Sequence, residues 1–309
     1  MQNNMDEIQK RLFEEVADLH ELPVGAYNLR ANSKLAGRNT TANIDIKTKD
    51  DDSGIDITIK PGTKKESVHI PVVLSQSGLQ ETVYNDFYVG EDCDVLIVAG
   101  CGIDNCGVQD SRHDGVHRFF VGKNSKVKYV EKHYGSGTGS GKRLLNPVTE
   151  VFMEEGSTME MEMVQIKGVD STDRKTLAKL DRGARLIVHE RLMTHKDQQA
   201  ISSYRVELNG DKSSADVVSR SVARDESYQK LDMCIVGNAE CNGHTECDSI
   251  IMDKGKILAV PSLEANNTEA ALVHEAAIGK IAGEQLIKLM TLGLTAQEAE
   301  EHIINGFLK

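Results

Sequence analysis

The stretch GSTMEMEMVQIK, residues 156–167, carries the clearest strand signal in this chain. Three methionines alternate in it with two glutamates, and a two-residue period of this kind is typical of a strand with one buried face. Glycines that each open a short polar turn before a β-like run recur at an interval of 27 residues: Gly156, Gly183, Gly210 and Gly237. A strand-rich repeat of this length predicts the coils of a β-helix or a related solenoid.

The region before the repeat contains a helix signal and a hairpin signal. Isoleucines alternate with polar residues over 44–46 and again over 55–59, on either side of the acidic turn DDDSG, which predicts a β-hairpin. One apolar stripe of helical period predicts an amphipathic helix over residues 5–19: Met5, Ile8, Leu12, Val16 and Leu19.

The C-terminal region returns to a helical period. Apolar residues with this spacing predict a helix that begins near Glu269 and ends near Gly293: Leu272, Ile278, Ile281, Leu286 and Leu289. Thr295 and Glu298 then have the spacing of a capping box and begin a final helix through Phe307. We therefore expect a mainly β chain with an N-terminal helical segment (1–30), a β core (31–265) and a C-terminal helical subdomain (266–309).

Composition and net charge exclude some classes of partner and location for this protein. Aromatic residues make up 4% of the 309 residues and Trp is absent, so the core is aliphatic and suits thin β layers. The net charge of −12 argues against nucleic acid or an anionic membrane as the main partner. Apolar runs stay well short of the roughly 18 residues that span a bilayer, and the N-terminus lacks signal-peptide features. We expect a cytoplasmic protein whose six cysteines are reduced.

The cysteines form two groups along the chain: Cys93, Cys101 and Cys106, then Cys234, Cys241 and Cys247. Two separated thiol groups indicate a metal or sulfur site, since thiolates bind soft metals. Cys93 and Cys234 lie beside apolar strand patterns, and for them a small buried hydrophobe is an equally good interpretation.

The segment CGIDNCGVQDSRHDGVH, residues 101–117, combines two thiols, two imidazoles and three aspartates. Its spacing is not that of a zinc finger, and its glycines disfavour a helix. In a strand, His113 and His117 would share one face. Metal or sulfur handling and a solvated loop both remain open for this segment.

The segment GSGTGSGK, residues 135–142, is not a phosphate-binding loop. Ser136 stands where such a loop needs glycine, and Arg143 stands where it needs Ser or Thr. We expect a flexible linker between β segments.

Two short motifs near the C-terminus offer further ligands. CNGHTEC, residues 241–247, holds two thiols on either side of His244 and Glu246. His274 and Glu275 follow at the start of the predicted helix, where such a pair is more often a cap than a ligand set.

Longer motifs around these residues resemble a known family. TECDSIIM (245–252) and ALVHEAAIGKIAGEQLIKLMTLGLTAQEAEEHIINGFL (271–308) closely resemble the C-terminal signature of the SufB/SufD family. Cys101, His113, VKY at 127–129 and SADVVSRSVARDESY at 214–228 are similar to the family's middle region, so that the likeness spans roughly 85–308.

The resemblance implies a right-handed parallel β-helix core with a helical C-terminal subdomain. It implies a scaffold without catalytic turnover that assembles an iron–sulfur cluster of the 4Fe–4S type and passes it to apo iron–sulfur proteins. The implied partners are an ABC-type ATPase resembling SufC and a second copy of the chain in a homodimer. Reduced flavin is a candidate cofactor of the complex, and the sulfur donor stays open.

The resemblance also implies residue roles. Cys101 matches the thiol that receives sulfur, and Cys247 and Glu275 match cluster ligands, with His274 adjacent. Further candidate ligands are Cys106, Cys241, His113 and His117. The residues expected to dock the ATPase are Ile278, Ile281, Leu286, Leu289 and Phe307.

Some features depart from the family pattern. The chain is much shorter than a bacterial SufB, and Val273 stands where SufB usually has Glu. Because the Cys and the His-Glu pair are retained, we expect a short SufB-like archaeal or anaerobic form. The alternatives are a SufD-like structural partner without its own cluster and a β-helical metalloenzyme with a zinc or iron site.

Overall fold

The computed structural model describes residues 5–309, which form two long sheets and three helices. The helices are α1 (Glu7–Ala17), α2 (Gly283–Met290) and α3 (Ala296–Phe307). Sheet A contains, in spatial order, β2 (Lys34–Asn39), β1 (Ala26–Ala31), β5 (Lys64–Leu74), β7 (Asp94–Asp104), β9 (Lys126–Ser136), β12 (Thr158–Lys167), β14 (Arg185–Thr194), β16 (Ser214–Ala223), β18 (Cys241–Ile251) and β20 (Ala270–Gly279). Sheet B contains β19 (Lys256–Ala265), β17 (Tyr228–Gly237), β15 (Gln199–Leu208), β13 (Ser171–Leu180), β10 (Arg143–Leu145), β11 (Val148–Met153), β8 (Ser111–Val121), β6 (Gln80–Val89), β4 (Gly54–Ile59) and β3 (Ile44–Thr48).

The two sheets are the two sides of a β-solenoid of about eight turns. Successive strands alternate between the sheets, so each strand pairs in parallel with the strand one coil later. The predicted hairpin is confirmed as the antiparallel pair β3 and β4. The mainly β fold predicted from the sequence is confirmed.

The coils differ in length more than the glycine spacing indicates. Paired residues are 32 positions apart between β9 and β12, 27 apart between β12 and β14, and 29 apart between β14 and β16. Gly156 and Gly183 occupy equivalent turns with φ of +70° and +65°, a conformation that glycine adopts without steric cost. In the next coil Lys212 takes this left-handed position, and Gly237 is the last residue of β17. The 27-residue interval is therefore correct for one coil only.

Alternate side chains of each strand point inward and fill the interior of the solenoid. Every second side chain of β12 is buried, as the methionine–glutamate pattern predicts. Aromatic residues are few inside, and Phe87 and Phe119 stack with ring centroids 4.4 Å apart.

Helix α1 covers the outer face of sheet A near its N-terminal end. A capping box of Asp6 and Gln9 begins the helix. Leu12 and Val16 pack on the sheet where Gly100 and Gly102 leave room for them. The helix predicted over residues 5–19 is confirmed over Glu7–Ala17.

The helix predicted to begin near Glu269 is wrong over Ala270–Gly279. These residues form β20, which pairs with β18 in parallel register from Cys241 opposite Ala270 to Ile250 opposite Gly279. Their alanine-rich sequence favours a helix locally, but the edge of β18 offers a row of unpaired backbone groups. Pairing with that edge outweighs local propensity, so the last strand lies beyond the core boundary expected at residue 265.

The two C-terminal helices follow β20. The capping box of Thr295 and Glu298 is present and begins α3. Ile304 of α3 and Leu308, the residue that follows the helix, are buried against Val222, which anchors the helix on the solenoid. Within residues 5–309, none of the helices has the length and apolar character needed to cross a membrane.

The glycine-rich segment at 137–142 connects β9 to β10, as the linker interpretation predicts. It is not a free linker, because the backbone N–H groups of Gly139 and Gly141 donate to carbonyl oxygens of Asn105 and Gly107. A Cβ at Gly139 would lie 2.1 Å from the Gly107 oxygen, so this close approach requires glycine.

Candidate functional site

Cys101 lies on the inward face of sheet A and is fully enclosed. It is 3% exposed and is opposite His133 in the register of β7 and β9. A cavity of about 10 Å³ beside it, large enough for about one water molecule, is lined by Cys101, His113, His117, Glu131 and His133 among others. Burial raises the pKa of the Cys101 thiol well above its usual value, and the charges of Glu81 and Glu131 raise it further. The thiol is therefore protonated in this conformation.

His113 and His117 both face the interior from β8, as their spacing in a strand predicts. His113 Nδ1 lies 3.0 Å from a carboxylate oxygen of Glu81, and His117 Nδ1 lies 2.8 Å from the Tyr129 hydroxyl. Burial lowers the pKa of His117 to about 4, so this imidazole is neutral near pH 7. Both histidines have protein partners inside the solenoid.

A buried cation stands between two buried carboxylates in the middle of the interior. Arg174 Nη1 lies 2.5 Å from Glu131 Oε2, and Arg174 Nε lies 3.8 Å from Glu190 Oε1. All three side chains are at most 5% exposed. Burial by itself would raise the pKa of Glu131, but Arg174 and His133 outweigh it and hold the pKa well below the usual value. The centre of the solenoid is therefore charged and internally paired.

This polar chain continues to the second inward thiol. The Ser219 hydroxyl donates to Glu190 Oε2 at 2.7 Å, and Ser219 is opposite Cys247 in the register of β16 and β18. The Cys247 sulfur lies 3.4 Å from the Met233 sulfur and is 1% exposed. Burial, followed by the charge of Glu190, raises the pKa of Cys247 to about 12. Buried polar side chains thus connect the coil of Cys101 with the coil of Cys247.

His274 lies on the same inward face, one strand beyond Cys247. Its Nδ1 is 2.7 Å from the Thr245 hydroxyl. Its Nε2 is buried and, among residues 5–309, has no hydrogen-bond partner. Burial lowers the pKa of His274, so the imidazole is neutral and its ring nitrogen can act as a ligand. A thiol and an unpaired imidazole nitrogen together suit a soft or borderline metal.

Glu275 lies on the opposite, outward face of β20. It stands there with His244 and Glu246 of β18, and one ligand atom from each of the three lies within 4.8 Å of the other two. The structure therefore divides the predicted ligand set, with Cys247 and His274 inside and Glu275 outside. This division follows from strand alternation once residues 270–279 are known to be a strand.

The remaining cysteines do not converge on these positions. Cys106 is exposed, and its sulfur lies 3.2 Å from Asp104 Oδ1 outside the cavity at Cys101. Cys241 is buried at the start of β18, and Cys93 is buried in a turn, where its thiol donates to the Lys60 carbonyl oxygen. Cys234 faces outward from β17, 3.4 Å from a guanidinium nitrogen of Arg205.

The predicted ATPase-docking residues lie in three kinds of surroundings. Ile281 and Phe307 pack on the cluster that anchors α3, whereas Ile278 is 43% exposed. Leu286 and Leu289 are half-buried on α2. The large apolar side chains that α2 and its following turn expose most are Ile287, Met290 and Leu292. The helical stripe in the sequence therefore identified mainly the face turned toward the protein.

Sequence reasoning missed the charged centre of the interior. Glu131, Arg174 and Glu190 are up to 59 residues apart and belong to separate strands. The available signal was a charged residue at an inward position of an alternating strand, as Glu131 is in VKYVEKHY. Without the coil lengths, no partner could be assigned to it.

The chain is similar to known proteins over most of its length. The family model for the SUF system FeS cluster assembly SufBD core domain matches residues 111–241 and 178–307. An iron-sulfur cluster assembly SufBD family protein of Archaeoglobus fulgidus is 30% identical over 84% of this chain and 69% of that protein. SufBD family proteins of Methanothermobacter thermautotrophicus and Methanocaldococcus jannaschii are 29% and 27% identical over 82% of this chain. The chain spans 62% and 79% of those two proteins.

The matched region contains Cys247, His274 and the polar interior between β9 and β18. Family membership supports a role in iron–sulfur cluster assembly. This chain belongs to the SufBD family of iron–sulfur cluster assembly proteins.

Proposed function

We propose that this protein is the scaffold on which an iron–sulfur cluster is assembled, with sulfur received at Cys101 and the cluster held at Cys247. The observation that carries the proposal is the buried polar chain from Cys101 through His133, Glu131 and Arg174 toward Cys247. Such a chain is costly inside an aliphatic core unless every member is paired. A solenoid core does not need such a chain for stability, so we attribute these side chains to function.

Sulfur reception at Cys101 is a thiol–persulfide exchange. The Cys101 thiolate attacks the outer sulfur of a persulfide on a sulfur-donor protein, forms a new S–S bond, and releases the donor as a thiolate. The raised pKa of Cys101 means that the thiol must first lose its proton. We propose His133, which is opposite Cys101 in the register of β7 and β9, as the acceptor of this proton.

The cluster is held at the C-terminal coils by Cys247 and the free Nε2 of His274. Thiolate and imidazole are both ligands of iron–sulfur clusters, and an incomplete set of protein ligands leaves a cluster that can be passed on to apo-proteins. The 4Fe–4S type, the reduced flavin and the part of Glu275 in ligation remain predictions from the family resemblance.

The two thiols act in separate steps. Five strand spacings separate β7 from β18 in sheet A, which is roughly 24 Å. Direct exchange between Cys101 and Cys247 is therefore impossible in this conformation. Movement of sulfur along the interior requires the solenoid to open around the polar chain.

Two uncovered surfaces support the proposed partners. Ile287, Met290 and Leu292 project from the C-terminal helical region, which suits a SufC-like ATPase that binds there. The last strands, β19 and β20, end the two sheets, and Leu258 and Leu263 of β19 are 46% and 40% exposed. An open strand edge is a template for pairing, which suits a homodimer through the solenoid ends.

A SufD-like structural role is the second candidate. The observation that favours it is that Glu275 faces away from Cys247, so that the inner face offers fewer donors than the resemblance implies. The two candidates differ in whether the protein holds a cluster by itself.

Anaerobic reconstitution with iron and sulfide tests the proposal. Visible absorption and iron content are measured on the wild type, Cys247→Ser and His274→Ala, with Cys234→Ser as a thiol control outside the interior. We expect a brown wild type and control, a pale Cys247→Ser and reduced iron in His274→Ala. If wild type and Cys247→Ser hold equal iron, or if neither holds iron with the ATPase present, the scaffold assignment to this site is wrong.

A further inference from the structure

The outward face of the terminal coils carries a compact group of metal-binding side chains. His244 and Glu246 are two residues apart on β18, and Glu275 is opposite Glu246 in the register of β18 and β20. One ligand atom from each residue lies within 4.8 Å of the ligand atoms of the other two. A small shift of these side chains would bring the atoms to the separation of two ligands that bind the same ion. The sheet separates this group from Cys247 and His274, which face inward.

A carboxylate on the neighbouring strand orients the imidazole. Asp216 is opposite His244 in the register of β16 and β18, and its Oδ1 lies 2.8 Å from His244 Nδ1. This hydrogen bond leaves Nε2 directed toward the other ligands, 3.8 Å from Glu275 Oε2. A carboxylate–histidine pair with the second ring nitrogen free is the arrangement that supports metal-bound histidines.

The local charge also favours a cation. Asp248 stands two residues from Glu246 on the same outward face, which adds a further carboxylate to the negative charge there. Arg220, opposite Asp248 in the register of β16 and β18, partly offsets this negative charge. The repulsion among carboxylates is relieved when a divalent ion binds between them.

The site is open on one side. A cavity of about 430 Å³ beside it is lined by Asp216, Asn242, His244 and Val273 among others. Water or an incoming ligand can therefore complete the coordination of an ion.

We propose that His244, Glu246 and Glu275 bind one divalent transition-metal ion, with Asp216 holding His244 in position. One imidazole and two carboxylates suit borderline divalent ions such as Fe²⁺, Co²⁺ and Zn²⁺. The site goes beyond the proposed cluster site because it is mononuclear, uses no thiol and lies on the other face of the sheet. If the proposed function holds, its natural ion is ferrous iron, the substrate of cluster assembly.

Cobalt titration of the full-length, metal-free protein under anaerobic conditions tests the site. Visible absorption reports Co²⁺ bound by nitrogen and oxygen ligands, and a thiolate-to-cobalt charge-transfer band reports a thiol ligand. We expect Cys247→Ser to bind one Co²⁺ per chain without the charge-transfer band, and a band in the wild type would report the separate inward site of Cys247 and His274. His244→Ala and Glu246→Gln should weaken binding by more than about tenfold, and Asp216→Asn by about tenfold.

Matched controls separate this site from a general affinity of the surface. His189 is an outward histidine on the same sheet with Nδ1 3.1 Å from Glu162, but Arg191 already neutralises that carboxylate. His189→Ala combined with Cys247→Ser should bind Co²⁺ as Cys247→Ser alone does. Circular dichroism of every variant confirms that the fold is kept.

Three outcomes would overturn the proposal: no stoichiometric Co²⁺ in Cys247→Ser, equal losses when His189→Ala or His244→Ala is added to Cys247→Ser, or a charge-transfer band that persists in Cys247→Ser. These outcomes are distinct from failure of the scaffold proposal. A protein that forms a cluster at Cys247 but binds no Co²⁺ at His244 would refute only the metal site.

Discussion

Cys101 and Cys247 occupy inward positions on the same sheet, but their surroundings differ. Cys101 lies in a coil whose outer face is covered by α1, where Gly100 and Gly102 allow the helix to approach. Cys247 lies one strand from the end of sheet A, and the residues around α3 pack on the outer face of its coil at Ile250 and Met252, beyond the outward positions of His244 and Glu246. The repeat therefore places both thiols on the inward face of sheet A. The element that packs on the outside of each coil determines which molecules can reach the thiol.

The difference has a functional meaning. The coil of Cys101 is fixed from outside by a helix and from inside by paired charges, which suits a residue that must be reached only at a defined step. The end of the solenoid is open, which suits a site where iron arrives and a cluster departs. Three measurements can break or sharpen this contrast.

The largest expected effect is the loss of the buried cation between the two regions. Arg174→Met leaves Glu131 and Glu190 buried without a counter-charge, and we expect it to lower the free energy of unfolding by about 3–5 kcal/mol. Urea unfolding followed by circular dichroism measures this. As a control, Lys254→Met removes an exposed pair with Glu226 and should cost at most about 1 kcal/mol.

A second variant, with Arg174→Met, Glu131→Gln and Glu190→Gln combined, should recover part of the lost stability because no unpaired charge is left. If Arg174→Met and Lys254→Met had equal midpoints of urea unfolding, the interior charges would be solvated by water and not sealed from it.

The next effect concerns thiol reactivity. At pH 8 we expect Cys106, which is exposed, to react with iodoacetamide about a hundredfold faster than Cys247, whose pKa is raised to about 12. Cys101 should be slower still, since its coil is covered on both sides. Time-resolved mass spectrometry of the peptides gives the three rates.

Cys247→Ser and Cys101→Ser serve as controls for peptide assignment. If Cys101 reacts as fast as Cys106, the coil beneath α1 opens readily and the contrast between the two regions disappears.

The smallest effect tests the covering helix. A Cβ at Gly100 would lie 2.7 Å from the Val16 carbonyl oxygen and 2.8 Å from that of Lys132, so Gly100→Ala should destabilise by about 1–3 kcal/mol and loosen α1. Thermal unfolding and limited proteolysis near α1 measure both effects. Gly279→Ala, at the open end, meets nothing within 4 Å and should change stability by less than about 0.5 kcal/mol.

If Gly279→Ala proved as costly as Gly100→Ala, the terminal coil would be covered in solution. The covering would then be a partner or a second copy of the chain rather than α1.

Much of the candidate site follows from the sequence, but its division between two faces does not. The TECDSIIM and HEA motifs lie on β18 and β20, which are adjacent strands, but the motifs do not indicate which face of the sheet each side chain takes. Because residues 270–279 were expected to be helical, the faces of His274 and Glu275 could not be assigned. His244 lies between two thiols in the sequence, yet its support from Asp216 depends on a strand pairing with a residue 28 positions earlier.

The sequence by itself determined the period of the chain and therefore which side chains alternate within each strand. Alternation is local, because successive residues of any strand point to opposite faces. Only the tertiary structure decided which coils stack in which register, since turns of different length change the coil from 27 to 32 residues. That register brings Glu131, Arg174 and Glu190 together inside and His244 and Glu275 together outside. Contacts between coils are set by the whole solenoid, and no local pattern contains them.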